Sequence, residues 1–344
     1  MVGIGRENQN KRAKKKKAWI YASISIGVLL LGLFSLFSYQ AIGAINTLDS
    51  LDKPKDTIPI GQYKEDESMK PVKWEGTERV NILLMGGDNR GLKENDRARS
   101  DSILLATFDP VTKKAHLLSI LRDTYVRIEG HGEERVNSAL ALGGPNLAMK
   151  TIGDLLGLDI QYYVYTDFEG FKSLIDGLGG IDFYVEKDMT YTDKADGNRY
   201  DIHLKKGQQK LDGDKALQYV RFRHDAMSDF TRTERQRNLL SALADKLKSG
   251  WNLMRMKKIL ESVAPYIKTN LDISDILKLA TLSVESHIAG STQVPSMDLI
   301  EGKSVRGASV LSVNNNEKLR ANVQEVLLKD TKGSVNSGGS NDRK

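Results

Sequence analysis

Residues 80–91, VNILLMGGDNRG, set the reading of this chain. Val80 to Met85 form a short apolar run with the length and composition of a buried strand. Gly86 and Gly87 follow, and glycine permits a tight turn and a close approach of backbone to ligand. Asp88 then places a carboxylate at the strand end. The turn is not a Walker loop, because no Gly-Lys-Ser/Thr follows it. Downstream, one strand starts from a charged turn and another leads into one. Arg99-Ser100-Asp101-Ser102 leads into a second strand, Ile103 to Phe108, and a third, Ala115 to Leu121, ends in Arg122-Asp123-Thr124. Charged turns at strand ends are where ligands gather in α/β sheets.

Farther along, strands and helices alternate. Gly143 to Leu156 and Asp167 to Leu178 carry helical apolar faces, while Gln161 to Thr166 and Ile181 to Val185 read as strands. Glu186 to Gly207 is polar and reads as irregular. Gly213 to Tyr219 begins a helical turn, and Gln236 to Lys248 continues a helix with Leu239, Leu240, Leu243 and Leu247 as its stripe. Two more helices are expected at Asn252 to Tyr266 and Ser274 to Ser286. A hairpin or edge strand is expected at Gly302 to Val313, and a last helix at Asn314 to Leu328. The alternation points to an α/β or α+β sandwich.

The densest chemistry lies at Tyr219 to Arg237, YVRFRHDAMSDFTRTERQR. Arg221, Arg223, Arg232, Arg235 and Arg237 fall within nineteen residues that contain no lysine. A guanidinium fork holds phosphate oxygens in pairs and stays charged. In an extended segment Val220 and Phe222 alternate with Arg221 and Arg223, which puts both arginines on one side. Thr231 and Glu234 read as a capping box that starts a helix at Arg232. Arg232, Arg235 and Gln236 then share a face, and the helix start suits an anion. The alternative for these residues is a solvated basic helix.

The chain has 344 residues, 40% of them hydrophobic, enough for a sizeable core in one large domain or two small ones. Its net charge of +6 is uneven. Residues 1–17 carry a basic cluster, Lys11, Arg12 and Lys14 to Lys17, and residues 18–45 contain no charge. Trp19 to Phe37 is long enough to span a hydrocarbon core, with Trp19, Tyr21 and Tyr39 near its ends. These segments are expected to be a cytoplasmic basic tail and an uncleaved single-pass type II signal-anchor in the cell membrane, with the rest extracytoplasmic. A cleaved signal peptide is the competitor, and the length of the apolar run favours the anchor. Residues 46–78, with Pro54, Pro59 and Pro71, read as a linker in which Tyr63 or Trp74 is available for docking. An ordered domain then covers residues 79–330, and 331–344 read as a disordered tail. Absence of cysteine excludes disulfides, thiolate metal sites and cysteine nucleophiles. A spanning segment directly after the basic cluster argues against nucleic acid as a partner.

Asp88 and Asp101 can point into one site if their strands are neighbours. Two carboxylates are too few for a metal cage of protein alone. They suit Mg²⁺ or Mn²⁺ that also binds substrate phosphates. A lone aspartate at either place reads as an ordinary turn residue.

Taken together, NILLMGGDNR, RSDSILLATFDP, SILRDTYV, RVNSALALGGP and YVRFRHD followed by DFTRTERQR resemble the LytR-CpsA-Psr family. These are the enzymes that attach phosphate-containing glycopolymers to bacterial cell walls, and the likeness within the family is to Bacillus-type wall teichoic acid transferases. The motifs come in the family's order over roughly residues 78–240. The resemblance implies a central mixed sheet flanked by helices, with an apolar tunnel for a lipid tail. It implies Asp88 and Asp101 as the pair that positions the metal. Arg99, Arg122, Arg221, Arg223 and Arg232 would surround a polyprenyl pyrophosphate, with Asp229 and Gln236 in the same pocket. Asp88, Asp101, Arg122 and Arg232 would carry the catalysis. The donor implied is an undecaprenyl-pyrophosphate-linked glycopolymer, and the acceptor is a muramic acid hydroxyl of peptidoglycan. Asp123 and Asn137 fall in matching motifs without a definite role, and His224 beside Asp225 reads as a surface histidine. Two rivals stand beside this reading: a polyprenyl-pyrophosphate hydrolase and a membrane-tethered transcription attenuator. For the topology, protease added to intact protoplasts is expected to digest the bulk of the protein, and full protection would refute the anchor.

Overall fold

The structure is a computed structural model that describes residues 69–88, 98–192, 201–223, 228–248 and 255–329. The expected basic tail, the membrane anchor, most of the linker, the C-terminal tail, Asn89 to Gly91 and His224 with Asp225 lie outside the described residues. None of the described helices is long and apolar enough to cross a membrane.

The strands are β1 (Val80–Gly87), β2 (Ser100–Asp109), β3 (Lys114–Ile120), β4 (Thr124–Ile128), β5 (Gly132–Arg135), β6 (Tyr162–Asp167) and β7 (Ile181–Val185). They continue as β8 (Met189–Tyr191), β9 (Ile202–Leu204), β10 (Gly207–Leu211), β11 (Ile267–Thr269), β12 (His287–Val294), β13 (Ile300–Val305) and β14 (Ala308–Val313). The α-helices are α1 (Ser138–Leu156), α2 (Phe168–Gly177), α3 (Gly213–Arg221), α4 (Ser228–Leu247), α5 (Met256–Val263), α6 (Ile273–Glu285) and α7 (Asn316–Leu328).

Six strands in the order β11-β6-β1-β2-β3-β12 form the central sheet. β1, β2 and β3 make an antiparallel meander, to which β6 and β12 add in parallel. The sheet is therefore mixed and flanked by helices. Side chains alternate between its faces. Leu83, Met85, Ile103, Leu105, Leu118 and Ile120 enter a core cluster that also holds residues of α1 and α7. Leu84, Leu104, Ala106, Leu117 and Val164 border a cavity on the opposite face, roofed by α2, α4, α5 and α6. Burial on both faces explains why these strands read as continuous apolar runs rather than alternating ones.

A second core cluster joins α2 to α5 with β7, β8, β9 and β10. Within it β10 pairs with β7 and β9 with β8. A small sheet ordered β13-β14-β4-β5 flanks the turn after β3.

Several boundaries differ from the sequence expectation. The polar stretch 186–207 contains β8 and β9, each of three residues and too short to show a pattern. α1 begins at Ser138, not Gly143. Gly143 (φ −146°) and Gly144 (φ 79°) interrupt it before Pro145, so only its second segment had helical periodicity. α4 begins at Ser228, which puts Thr231 and Glu234 inside the helix; they form no capping box. Val220 and Arg221 end α3 rather than lying in an extended segment; Phe222 is the extended residue (φ −60°, ψ 127°). β12 was not anticipated, because HIAGSTQV is mostly small or polar and is defined by its pairing with β3.

Trp74, placed in the linker by its sequence, is only 2% exposed. It packs with Val80, Ile82, Tyr162 and Leu282, and its indole N–H donates to the Glu78 carbonyl at 2.9 Å. Trp74→Ala is expected to lower unfolding free energy by about 3–5 kcal/mol, the usual cost of deleting a buried large aromatic. Denaturant titration measures this, and a change near zero would mean that the indole is not part of the core.

Candidate active site

The site begins where β1 meets β2. Gly86 pairs with Ser102 and Gly87 with Ser100, so Asp101 is the extra residue of a bulge. A bulge re-aims a side chain. Here it lets two successive residues, Asp101 and Ser102, both border the cavity. Gly87 has its own reason to be glycine: a Cβ there would run into the hydroxyl of Tyr165, a fully buried side chain. Close packing of that ring on the backbone carries the chain into Asp88, which also borders the cavity.

Arg122 stands across from this pair, in the turn after β3. Neighbouring backbone pins the turn: the Asn137 N–H donates to the Arg122 carbonyl at 3.2 Å and the Leu311 N–H to the Asp123 carbonyl at 2.9 Å. The Arg122 guanidinium donates to Asp101 Oδ1 at 2.8 Å. Its Nε lies 3.5 Å from carboxylate oxygens of both Asp123 and Asp229. Asp229, in the first turn of α4, also faces Arg232 at 3.4 Å and Arg223 at 3.7 Å. One carboxylate thus gathers three arginines. Burial works against the charge on Arg122, but Asp229, Asp101 and Asp123 together leave its pKa raised. For Arg223 the pKa is lowered, first by burial and then by repulsion from Arg122, with Asp229 opposing. Arg232 is 4% exposed on its side chain, and its Nε has no hydrogen-bond partner.

From this cluster an apolar cavity of about 1090 Å³ runs between the sheet and the roofing helices. Asp88, Asp101, Arg122, Arg221, Arg223, Arg232 and Gln236 border it at the polar end. Phe168, Phe171, Leu239, Leu243, Leu247, Val263 and Val284 line it farther on. Such a space fits a molecule with an anionic head and a long hydrocarbon tail.

Most of the site residues expected from the sequence come together here. Arg221 lies over the Phe168 ring at 5.4 Å, and Gln236 accepts from the Ser102 hydroxyl at 3.0 Å. Arg99 does not join them; it is exposed just before β2 and does not border the cavity. Asp229 does not border it either and acts on the arginines. Arg235, expected on the face of Arg232 and Gln236, turns instead toward Glu186. Sequence reasoning left Asp123 without a role and passed over Arg135, whose guanidinium reaches Asp123 at 3.4 Å. Ser102 and Phe168 were also missed, since an ordinary strand serine and a helix-face phenylalanine carry no signal of their own.

Among the described residues no group of three or more acidic or histidine side chains could hold a metal. Asp88 and Asp101 both border the cavity at its polar end. A divalent cation fits them only if phosphate oxygens of a ligand complete its shell, which suits Mg²⁺.

An α/β domain with an arginine–aspartate cluster at one end of a long apolar cavity defines a class of protein shaped around an amphipathic anion. The chain belongs to the LytR_cpsA_psr family, whose match covers residues 43–325. It is similar to the transferase TagU of Bacillus mycoides (strain KBAB4), named polyisoprenyl-teichoic acid–peptidoglycan teichoic acid transferase: 34% identity over 260 residues, 75% of this chain and 80% of TagU. It is also similar to Regulatory protein MsrR of Staphylococcus aureus (strain COL), with 32% identity over 262 residues, 76% of each chain. A solved structure of the family protein YwtF (TagT) with bound octaprenyl pyrophosphate lipid aligns with a TM-score of 0.56 and 27% identity. That alignment covers 77% of this chain and 97% of YwtF.

Replacing the gathering carboxylate tests the cluster. Asp229→Asn leaves Arg122, Arg223 and Arg232 without one counter-charge, and is expected to destabilise by about 1–2 kcal/mol given its partial exposure. Added inorganic pyrophosphate should then raise the melting temperature of the variant more than that of the wild type. Equal shifts would mean that Asp229 does not hold the arginines together.

Proposed function

We propose that this protein is a cell-wall glycopolymer transferase. It moves a teichoic acid-type glycopolymer from an undecaprenyl-pyrophosphate-linked donor to a muramic acid hydroxyl of peptidoglycan. One observation carries the reading: the cavity joins an arginine cluster to an apolar channel without a break. A polyprenyl pyrophosphate has both parts in that order. The name of TagU and the lipid bound to YwtF support it.

In this reading the prenyl chain lies along Leu239, Leu243 and Leu247, and the pyrophosphate meets Arg122, Arg221, Arg223 and Arg232. The sugar hydroxyl attacks the phosphorus that carries the glycopolymer. A new O–P bond forms, the bridging P–O bond breaks, and polyprenyl phosphate leaves. Such transfer depends on in-line positioning and charge neutralisation. The arginines neutralise charge that builds on the phosphoryl oxygens, and the apolar walls keep that interaction strong. Mg²⁺ at Asp88 and Asp101 adds charge neutralisation when bound. Asp88 and Asp101, both at the polar end of the cavity, are the candidates to take the hydroxyl proton. The membrane anchor read from the sequence would keep the domain beside its lipid donor.

A hydrolase would use the same site with water as acceptor. A regulatory reading, drawn from the name of MsrR, leaves the cavity and its arginines without a use.

The test is donor turnover with and without peptidoglycan, for wild type, Asp88→Ala, Asp101→Ala, Arg223→Lys and Arg232→Lys. Wild type should transfer only when peptidoglycan is present; equal release of products in water alone would favour the hydrolase. Each arginine variant is expected to lose about 10²–10³ in kcat, because lysine restores charge without the two-pronged geometry. Each aspartate variant should lose its response to Mg²⁺. Retained activity in both arginine variants would remove the phosphate clamp from the mechanism.

A further inference from the structure

Arg235 lies one helical turn from Arg232 but faces away from the cavity. Its side chain is 6% exposed. Nε donates to Glu186 Oε1 at 2.6 Å, and a terminal N–H donates to the Phe222 carbonyl at 3.2 Å. The guanidinium carbon lies 5.2 Å from the centroid of the Phe222 ring. Burial and then the nearby Glu186 raise the pKa of Tyr219, whose ring meets Phe183 edge-on at 4.9 Å. Phe222 is the residue between Arg221 and Arg223. It is 3% exposed, and at this residue the backbone leaves α3.

We infer that Arg235 is a positioning residue for Arg221 and Arg223: anchored by Glu186, it grips the Phe222 ring and carbonyl and so aims the two flanking guanidinium groups into the polar end of the cavity. The inference rests on the pyrophosphate reading above and adds a residue that does not touch the ligand. The Phe222 carbonyl belongs to the same peptide unit as the Arg223 nitrogen. A bond to that oxygen therefore fixes the plane from which the Arg223 side chain departs. Contact with the ring on the same residue removes the remaining freedom to swing. On the other side Arg221 closes α3, a helix whose Tyr219 lies near the same Glu186. Arginine suits the task because its planar face and its fixed N–H directions act together, which lysine cannot reproduce. Asp229 gathers Arg122 and Arg232 and also reaches Arg223, at the longer distance of 3.7 Å. Loss of Arg235 should therefore misplace Arg221, loosen Arg223 to its single contact with Asp229, and leave Arg122 and Arg232 in place.

A double-mutant cycle on the full chain tests this. Affinity for farnesyl pyrophosphate and kcat for transfer are measured for Arg235→Lys, for Arg221→Ala/Arg223→Ala, and for all three changes together. Arg235→Lys is expected to weaken binding about tenfold, a coupling usual for residues in one network. It should lower kcat by about 10², the usual result of ångström-scale misplacement. In the Arg221→Ala/Arg223→Ala background the same change should cost less than about twofold, since nothing remains for it to position. Equal losses in both backgrounds would mean a general structural role and overturn the inference. Should Arg235→Lys fail to fold, Glu186→Gln releases the same anchor from a side chain that is 43% exposed, and is read in the same way. If Arg221→Ala/Arg223→Ala binds farnesyl pyrophosphate as the wild type does, the pyrophosphate reading fails and this inference falls with it. That outcome is separate from equal losses.

Discussion

Three guanidinium groups, from Arg122, Arg223 and Arg232, converge on the carboxylate of Asp229. Like charges packed this closely repel, and partial burial strengthens the repulsion. The lowered pKa of Arg223, with burial and then Arg122 as its causes, records that tension. Asp229 relieves it without bordering the cavity, while Arg122, Arg223 and Arg232 do border it. Asp101 and Asp123 add to the same balance around Arg122. The polar end of the site is therefore an ionic network held by the fold.

The apolar end follows from a different constraint. Leu84, Leu104, Leu117 and Val164 stand on the sheet face turned away from α1 and α7, and they must be covered. Helices α2, α4, α5 and α6 cover them at a distance. Small side chains at several contact points, Ala106 and Ala115 on the strands and Ala280 and Ser283 on α6, leave space between. Protein interiors ordinarily close such gaps, because an unfilled apolar void forfeits dispersion contacts. A cavity of about 1090 Å³ that opens onto a cationic cluster is better explained by a ligand that fills it. α4 serves both ends: Arg232 and Gln236 face the polar cluster, and Leu239, Leu243 and Leu247 continue along the channel.

Much of this was legible in the chain. β1, β7 and the strand that became β6 lie within a residue or two of their expected places, because apolar runs bounded by glycine or charge have few other uses. Asp88, Asp101, Arg122, Arg221, Arg223, Arg232 and Gln236, all named from the sequence, border one cavity. Other features were hidden for identifiable reasons. The bulge that turns Asp101 inward depends on the partner strand, since Gly86 and Gly87 fix the register. Arg235 sits at helical spacing from Arg232, so periodicity put them together; the position of Glu186 after β7 separates them. Arg99 has the composition of a phosphate ligand but lies exposed before its strand. Trp74 looked like part of a linker because one aromatic carries no periodicity.

By itself the sequence determined the apolar strands, the glycine turn that ends in Asp88, the arginine-rich segment after α3, and the family. These are local properties: alternation, spacing and residue type decide which side chains share a face. Only the tertiary structure decided the partners. Asp229 meets Arg122 because the turn after β3 is brought to the start of α4, and Arg235 meets Phe222 because α3 and α4 fold back on each other beside β7. A carboxylate and an arginine far apart in the chain carry no mark of their pairing, since strand order and helix packing bring them together and local pattern encodes neither.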